Sequence, residues 1–525
     1  MNSDPVNENI TSGHNHSWWN DSVPPIVYNT LNSDTFTDVL IIGGGIAGLT
    51  TAYCLSKSGR KVILLEDGAL GSGESGRTTA HITYALDDRY YDLERFFGEE
   101  KSKLAAQSHK YALEWIYETV MAESIDCEFK KVDGYLFTDP TDKQENLDNE
   151  FEATQRAGLP TEIVDEMPGF PSAKKRRAIR FPEQGQFHIL KYLKSLADAI
   201  IRMGGEIYTH THADEISKTG AKTNGYSIKA NHVVVATNSP INNIVTMHTK
   251  QFAYRTYVIA AKVPKGVLPY ALWWDTGNMD SKWVAKPYHY VRLQPFDDNF
   301  DLLISGGEDH KTGQADEEHI IEAQRYENLI SWTKEHFPYF SEVSYKWSGQ
   351  VIEPVDSMAF IGKNPGDQNI YIITGDSGNG MTHGTLGGLI INDLVMDNPN
   401  PYVELYSPSR ITLKTGGDYL KEVGNMVYKM AEGWLSGGNI KEVSELEPGK
   451  GAILSHGLEK VAVYKDGDGA IHSCTAVCPH LGGILQWNDD EKSFDCPLHG
   501  SRFTAYGKVV NGPAKSDLDY FDNKL

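Results

Sequence analysis

Apolar residues in this chain gather in three short runs that do not alternate with polar ones, at positions 39–42, 62–65 and 370–373. A strand that is apolar at every position is covered on both faces, as in the centre of a parallel sheet. Between the first two runs, Leu49, Ala52, Tyr53 and Leu55 recur at helical spacing and predict a helix over 47–58 that stops near Gly59. The same periodicity predicts helices over 89–122, 188–203, 323–335, 386–396 and 418–435. Strands are predicted at 134–138, 178–181, 206–209, 226–230 and 232–236, and an aromatic, β-rich region at about 252–310. The strand–helix–strand unit at the front, resumed at 370, predicts an α/β (α+β) body in two parts.

Punctuation along the chain divides it further. Residues 1–35 are rich in Asn, Ser, Asp and Pro and read as an N-terminal arm, with Trp18 and Trp19 as its packing points. The body is expected over 36–400, with a substrate-facing β-region inserted at about 252–345. Pro399, Pro401 and Pro408 mark a boundary before a linker with a helix at 401–438, and a small all-β domain follows at 439–525.

The 525 residues exceed what one core supports. A formal charge of −22 argues against nucleic-acid or anionic-membrane partners, which require a basic face. No run is long enough for a transmembrane helix, and the polar start does not read as a signal peptide. Five cysteines are too few for a secreted disulfide framework, so a cytoplasmic protein is expected.

Two motifs carry chemistry. Gly43-x-Gly45-x-x-Gly48 joins the first strand to the first helix, and Glu66 ends the second strand. Gly43 allows the turn, Gly45 the approach of a pyrophosphate, and Gly48 close helix–strand packing, while Glu66 suits a ribose hydroxyl. With strand, helix, second strand and acid in order, this is a dinucleotide site; the bland alternative is a glycine-rich turn. The second motif is Cys478-Pro-His480 and Cys496-Pro-Leu-His499. Two thiolates and two imidazoles on paired loops are the ligand set of a Rieske [2Fe–2S] centre, although a structural zinc ion accepts the same ligand types. Cys474 is expected to be a strand thiol, and Pro513 to lie in a loop shielding the cluster.

In four places the front 400 residues resemble the D-amino-acid dehydrogenase/glycine oxidase superfamily of FAD enzymes. These are 41–66; Ser75-Gly-Arg-Thr-Thr-Ala-His-Ile82; Ala230-Asn-His-Val-Val-Val-Ala-Thr237; and Trp347-x-Gly349 with Asp356, Ile361-Gly362 and the 375–384 glycine loop. The third place departs from the family's Ala-Thr-Gly by having Asn238. The resemblance implies FAD held by Gly43, Gly45, Ile46, Ala47, Gly48, Glu66, Asp67, Arg77, Thr78, Thr79, Ala80, Ala236, Thr237, Gly375, Gly380, Met381 and Thr382. With the tail included, the chain resembles bacterial flavoproteins that end in a Rieske domain, which implies a [2Fe–2S] cluster on Cys478, His480, Cys496 and His499.

The family's chemistry is oxidation of a C–H bond next to an amine nitrogen. Tyr288, Tyr290 and Arg292 share one face of a predicted strand, where Arg292 is a candidate carboxylate clamp. Trp273, Trp274 and Tyr257 are a candidate apolar or cation-binding wall; the bland reading is sheet-core aromatics and a surface arginine. His81 is expected beside the flavin, whereas His210, His212, His310 and His383 read as surface or structural residues. The strand at 300–306 has no lysine to promote reaction with oxygen, which favours a dehydrogenase passing electrons to an external one-electron partner, ferredoxin-like or a quinone. The alternatives are a Rieske-fed reductase or monooxygenase, and a non-catalytic redox carrier or sensor.

Overall fold

The computed structural model describes residues 11–521 apart from 171–175, 243–246, 284, 315–319, 413–415 and 458. Its first sheet has eight strands, six of them on the path Phe360–Lys363, Ile370–Thr374, Tyr226–Val235, Thr35–Ile42, Val62–Leu65, Glu206–Tyr208. All pairings on this path are parallel except that of the edge strand Phe360–Lys363. The three apolar runs thus lie at or near the sheet's centre. Val39, Leu40 and Ile41 have no exposed surface.

The first helix, Ile46–Lys57, lies against a later one, Gly380–Val395. That second helix starts at Gly380, earlier than the predicted position 386. Gly375 and Gly378 stay in the loop, whereas Gly380 and Gly384, read as part of it, belong to the helix, whose contact face includes Gly384 and Gly388. A Cβ on Gly384 would lie 2.7 Å from Ile46 Cγ2, and one on Gly388 would lie 2.7 Å from the backbone nitrogen of Thr51. Two further expectations are corrected. The helix predicted over 89–122 is two helices, Tyr90–Phe97 and Glu99–Ala122, broken at Gly98 with φ 86°. The two strands predicted at 226–236 are one continuous strand, Tyr226–Val235.

A second, nine-stranded sheet covers the reaction side of the body. The region expected at about 252–345 supplies four of its strands and the start of a fifth, Val343–Pro354, and the strands expected at 134–138 and 178–181 join the same sheet. The others are His81–Ile82, Lys130–Phe137, Glu162–Val164 and Ala178–Gln186. The helix Gly416–Leu435 leads to the tail, which has a three-stranded sheet (Lys450–His456, Glu459–Lys465, Ile471–Thr475) and a four-stranded one (Gln486–Asn488, Ser493–Asp495, Arg502–Thr504, Val509–Asn511). Its core contains Cys478, Cys496 and Phe503 and is separate from the body's.

The tail is fastened to the body by a buried ion cluster. Glu491 Oε1 accepts from Arg77 Nη1 at 2.6 Å, Arg255 Nη2 at 2.9 Å and Ser348 Oγ at 2.5 Å. The side chains of Glu491, Arg77 and Arg255 have no exposed surface. The N-terminal arm closes over this cluster. Ser12 Oγ accepts from Arg77 Nε at 2.6 Å, and the Asn15 carbonyl accepts from Arg77 Nη2 at 2.7 Å. Asn15 also donates to Asp490 and Glu491. Trp19, fully buried, donates its indole N–H to the Thr78 carbonyl.

The three arginines around Glu491 (Arg77, Arg255 and Arg502) hold its carboxyl well below the ordinary range despite burial. A depressed carboxylate contributes stability that is complete above the unfolded pKa of about 4.3 and lost as pH falls through the folded value. Glu491→Gln leaves two buried guanidinium groups without their counterion and should cost about 3–5 kcal/mol. The expected readings are a lower denaturant midpoint, cleavage of the 401–438 linker by a protease, and loss of the wild type's fall in stability below about pH 4.

Candidate functional site

The first strand delivers the chain to Gly43 at φ 108°, where a Cβ would come within 2.3 Å of the Ala236 carbonyl. A Cβ on Gly48 would lie 1.9 Å from the Gly43 carbonyl, so only glycine lets the helix start this close to the loop. The helix begins at Ile46 with Gly45 as N-cap; Ile46 N donates to Ser75 Oγ at 3.0 Å, and the partial positive charge of the first turn faces an open cavity. Glu66 braces the loop by accepting from Gly44 N at 2.6 Å and Gly68 N at 3.0 Å. Burial raises its carboxyl to about 7.

The cavity beyond has a volume of about 360 Å³. Gly43, Gly45, Ile46, Ala47, Glu66, Asp67, Ala236 and Thr237 wall one end. Thr78, Thr79, His81, Gly380 and Met381 lie further along, and Tyr288, Tyr290 and Trp274 belong to the other end. Asn238, the departure from the family's glycine, has φ 62°, a left-handed conformation that Asn tolerates. Asp67 pairs with His212 at 3.2 Å, which raises that imidazole to about 9. His212 was read as a surface or structural residue, yet it lines the cavity. A glycine cradle, a helix start bordering the cavity and a buried acid at the strand end fit the phosphates and ribose of FAD.

Other predicted residues lie elsewhere. Gly48, Ala80, Gly375, Thr382 and Arg292 are not on the cavity wall. Gly48 is packed behind the loop, and Gly375 makes a turn at φ 72°. Thr382 bonds His109 at 2.8 Å. The Ala80 carbonyl accepts from Arg292 at 2.8 Å. Arg292 is fully buried away from the cavity, both its Nη atoms bonded to protein acceptors (Phe187 O and Gln294 Oε1 besides Ala80 O), so it is not placed to clamp a carboxylate there. Arg77 borders the cavity, but its guanidinium is turned to Glu491. Trp273 faces the opposite core, its indole N–H on Pro168 O, and Tyr257 bonds His310. Of the candidate wall only Trp274 remains.

His81 donates or accepts at both ring nitrogens, to Thr79 Oγ1 at 2.9 Å and Val291 O at 3.3 Å. Burial, followed by the Arg292 charge, lowers it to about 3, so it stays neutral. Carboxylates that the sequence did not single out also reach the reaction end: Asp87, Asp88, Asp309, Glu353 and Asp376. Burial raises Asp87 and Asp309 to about 7 and Asp88 and Asp376 to about 6. Their positions run from 87 to 376 and form no motif, so only folding brings them together.

In the tail, each ligand loop closes on its own cysteine. Cys478 N donates to Gly483 O at 2.9 Å and Cys496 N to Ser501 O at 2.8 Å. The two thiols share a hydrogen bond, which lowers Cys478 to about 7 and raises Cys496. The His480 and His499 rings lie 4.9 Å apart. Both nitrogens of His499 are buried without a hydrogen-bond partner, as a ligand's would be before metal binding. Two thiols and two imidazoles on these paired loops supply the two protein ligands per iron that a two-iron cluster takes, sulfide completing the rest.

The cluster loops touch the body. Gln350 Nε2 donates to Gly500 O at 3.0 Å and Gln314 Nε2 to Pro497 O at 3.0 Å. His248 packs edge-on to His480, with ring centroids 4.9 Å apart. Gln350 also lines the large cavity, as do Val509, Asn511, Gly512 and Ala514 of the tail. Ala514 N donates to Ser501 Oγ at 3.0 Å, and Ser501 bonds Cys478. The loop holding Pro513 therefore reaches both the cluster site and the cavity.

Comparison with known proteins agrees with this two-part reading. A family described as FAD dependent oxidoreductase matches residues 38–394, and the Rieske [2Fe-2S] domain family matches 438–522. YhfW of Bacillus subtilis, named as a Rieske 2Fe-2S iron-sulfur protein, is 31% identical over 98% of this chain and 99% of its own. Gamma-glutamylputrescine oxidoreductase of Escherichia coli is 26% identical over 70% of this chain and 85% of its own. In fold, L-proline dehydrogenase from P. horikoshii matches with a TM-score of 0.58 at 19% identity, covering 72% of this chain and 98% of that one. Glycine oxidase from Bacillus cereus matches with a TM-score of 0.56 at 17% identity, covering 72% and 99%.

Cys474 sits in the strand Ile471–Thr475, buried, its thiol pushed up to about 12 by burial. Cys474→Ser should keep the [2Fe–2S] EPR signal and iron content of the wild type. Cys478→Ser and His499→Ala should each lose the signal while the FAD absorbance is retained.

Proposed function

Because this chain belongs to the FAD dependent oxidoreductase family and carries a Rieske [2Fe-2S] domain, we propose that it is a dehydrogenase of amines or amino acids whose electrons leave through the cluster. The observation that carries this reading is the shared wall. Residues of the tail line the FAD cavity, and Gln350 reaches from that cavity to Gly500, the residue after the ligand His499. Relatives named for gamma-glutamylputrescine, proline and glycine support the donor class. When bound, the flavin accepts two electrons and the cluster passes electrons singly.

The chain's own residues supply orientation and a dry pocket. Trp274, Tyr288 and Tyr290 form the apolar part of the wall, with Tyr290 fixed by a 2.7 Å hydrogen bond to Thr256. Asp87, held near 7 and bonded to Tyr288, can take a proton from a substrate ammonium, giving the neutral amine the reaction requires. The C–H bond next to nitrogen is then oxidised. The neutral amine loses two electrons and one proton from that C–H bond to become a protonated imine, which water hydrolyses to a carbonyl compound and the released ammonium. An external one-electron acceptor, ferredoxin-like or a quinone, takes the two electrons in turn. All five cysteines are free thiols, which suits a reducing, cytoplasmic setting.

Anaerobic stopped-flow tests the direction of flow. Addition of an amine substrate should bleach the flavin first, and the cluster's EPR signal should then rise at a matching or slower rate. A cluster that stays oxidised, or full turnover with oxygen alone, overturns the reading. Cluster reduction by ferredoxin followed by flavin reduction, with no amine present, reverses its direction.

A further inference from the structure

We propose that the reaction end of the cavity is a receptor for an amine that carries a second positive charge, such as a diamine or polyamine, and not for a zwitterionic amino acid. This rests on the dehydrogenase reading for what happens to the substrate, but not for what binds.

Acids outnumber bases on the cavity wall. Asp87, Asp88, Asp309, Glu353 and Asp376 line the same cavity as Trp274, Tyr288 and Tyr290. The basic groups nearby are already engaged. Lys286 gives its ammonium to the Ser281 carbonyl, Arg77 is turned to Glu491, and Arg292 is filled by Ala80, Phe187 and Gln294. Among the described residues, no guanidinium is left on this wall to meet a substrate carboxylate.

The acids are not equivalent. Asp88 and Glu353 are joined through the Ser377 hydroxyl, and Asp87 bonds Tyr288. Asp309 differs. It borders the cavity, yet its Oδ1 has no accessible surface and no hydrogen-bond partner. Asp376 Oδ1 shares this condition. A buried carboxylate oxygen without a donor is costly, and the cost disappears when an ammonium group takes the place of water. His289, a cation close to Asp309, is already held by Asp275 at 2.8 Å and Glu308 at 3.5 Å. The aromatic faces suit the alkyl chain between two charges and the cations themselves.

The test is calorimetric binding to the holoenzyme under anaerobic conditions, with 1,4-diaminobutane, butylamine and proline as probes. The diamine should bind about tenfold or more tighter than butylamine or proline, and its affinity should fall with added salt. Asp309→Asn, checked for full FAD and iron content, should weaken the diamine by about thirtyfold and proline hardly at all. Proline binding as tightly as the diamine, or an unchanged diamine affinity in Asp309→Asn, overturns the proposal. If Asp309→Asn does not fold, the wild-type order of the three probes decides alone. A diamine that binds without bleaching the flavin leaves the receptor standing and sinks the dehydrogenase; proline that binds and bleaches does the reverse.

Discussion

The carboxylate of Glu491 lies out of water between the guanidinium groups of Arg77 and Arg255. Removing three charges from solvent is expensive unless every hydrogen-bonding position is filled. Here Ser12, Asn15 and Ser348 fill most of those positions, so the arrangement is correct only when arm, body and tail are all in place. The cluster therefore acts as a specificity device. A hydrophobic patch would tolerate a sliding contact, whereas a shared carboxylate with fixed donors does not. Arg77 borders the large cavity, and Glu491 lies within the Rieske [2Fe-2S] domain, five residues before Cys496, so the pair ties that domain to the body beside the cavity.

The cofactor cavity depends on close packing of a different kind. Four glycine positions, Gly43, Gly48, Gly384 and Gly388, let two helices and a loop approach more closely than any side chain permits. The result is a helix start aimed into a cavity whose far end is acidic and aromatic. The electrostatics of the two ends are opposite. Partial positive charge suits phosphate at one end, and a group of buried carboxyl groups lines the other. A single chain thus offers two complementary recognition surfaces within one cavity.

What could be read in advance follows the range of the interaction. The apolar runs, the glycine loop and the two Cys-His pairs are local patterns, each set by a few neighbouring residues, and they identify both cofactors. Helix ends were less legible because the 380–388 glycines serve tertiary packing, which carries no local signature. The substrate end was least legible. Arg292 has the chemistry of a clamp, but the strand alternation that puts it on one face does not say that Ala80 and Phe187 are already waiting there. Asp87, Asp309 and Glu353 come from three distant segments. The role of Ser12 and Asn15 was invisible because an Asn- and Ser-rich stretch looks like a solvated tail until its partners, 476 residues away, are known.

That separation has a consequence for how the molecule is made. Asp490 and Glu491 are made long after the arm and after Arg77, so the arm's docking surface stays incomplete until the tail arrives. Throughout that interval the cavity lacks the side that residues 509–514 will later form. The flavin's way in is widest before the tail settles, and the tail's arrival closes it. The arm, bonded to Asp490, Glu491 and Arg502, is the latch that holds the tail in that place.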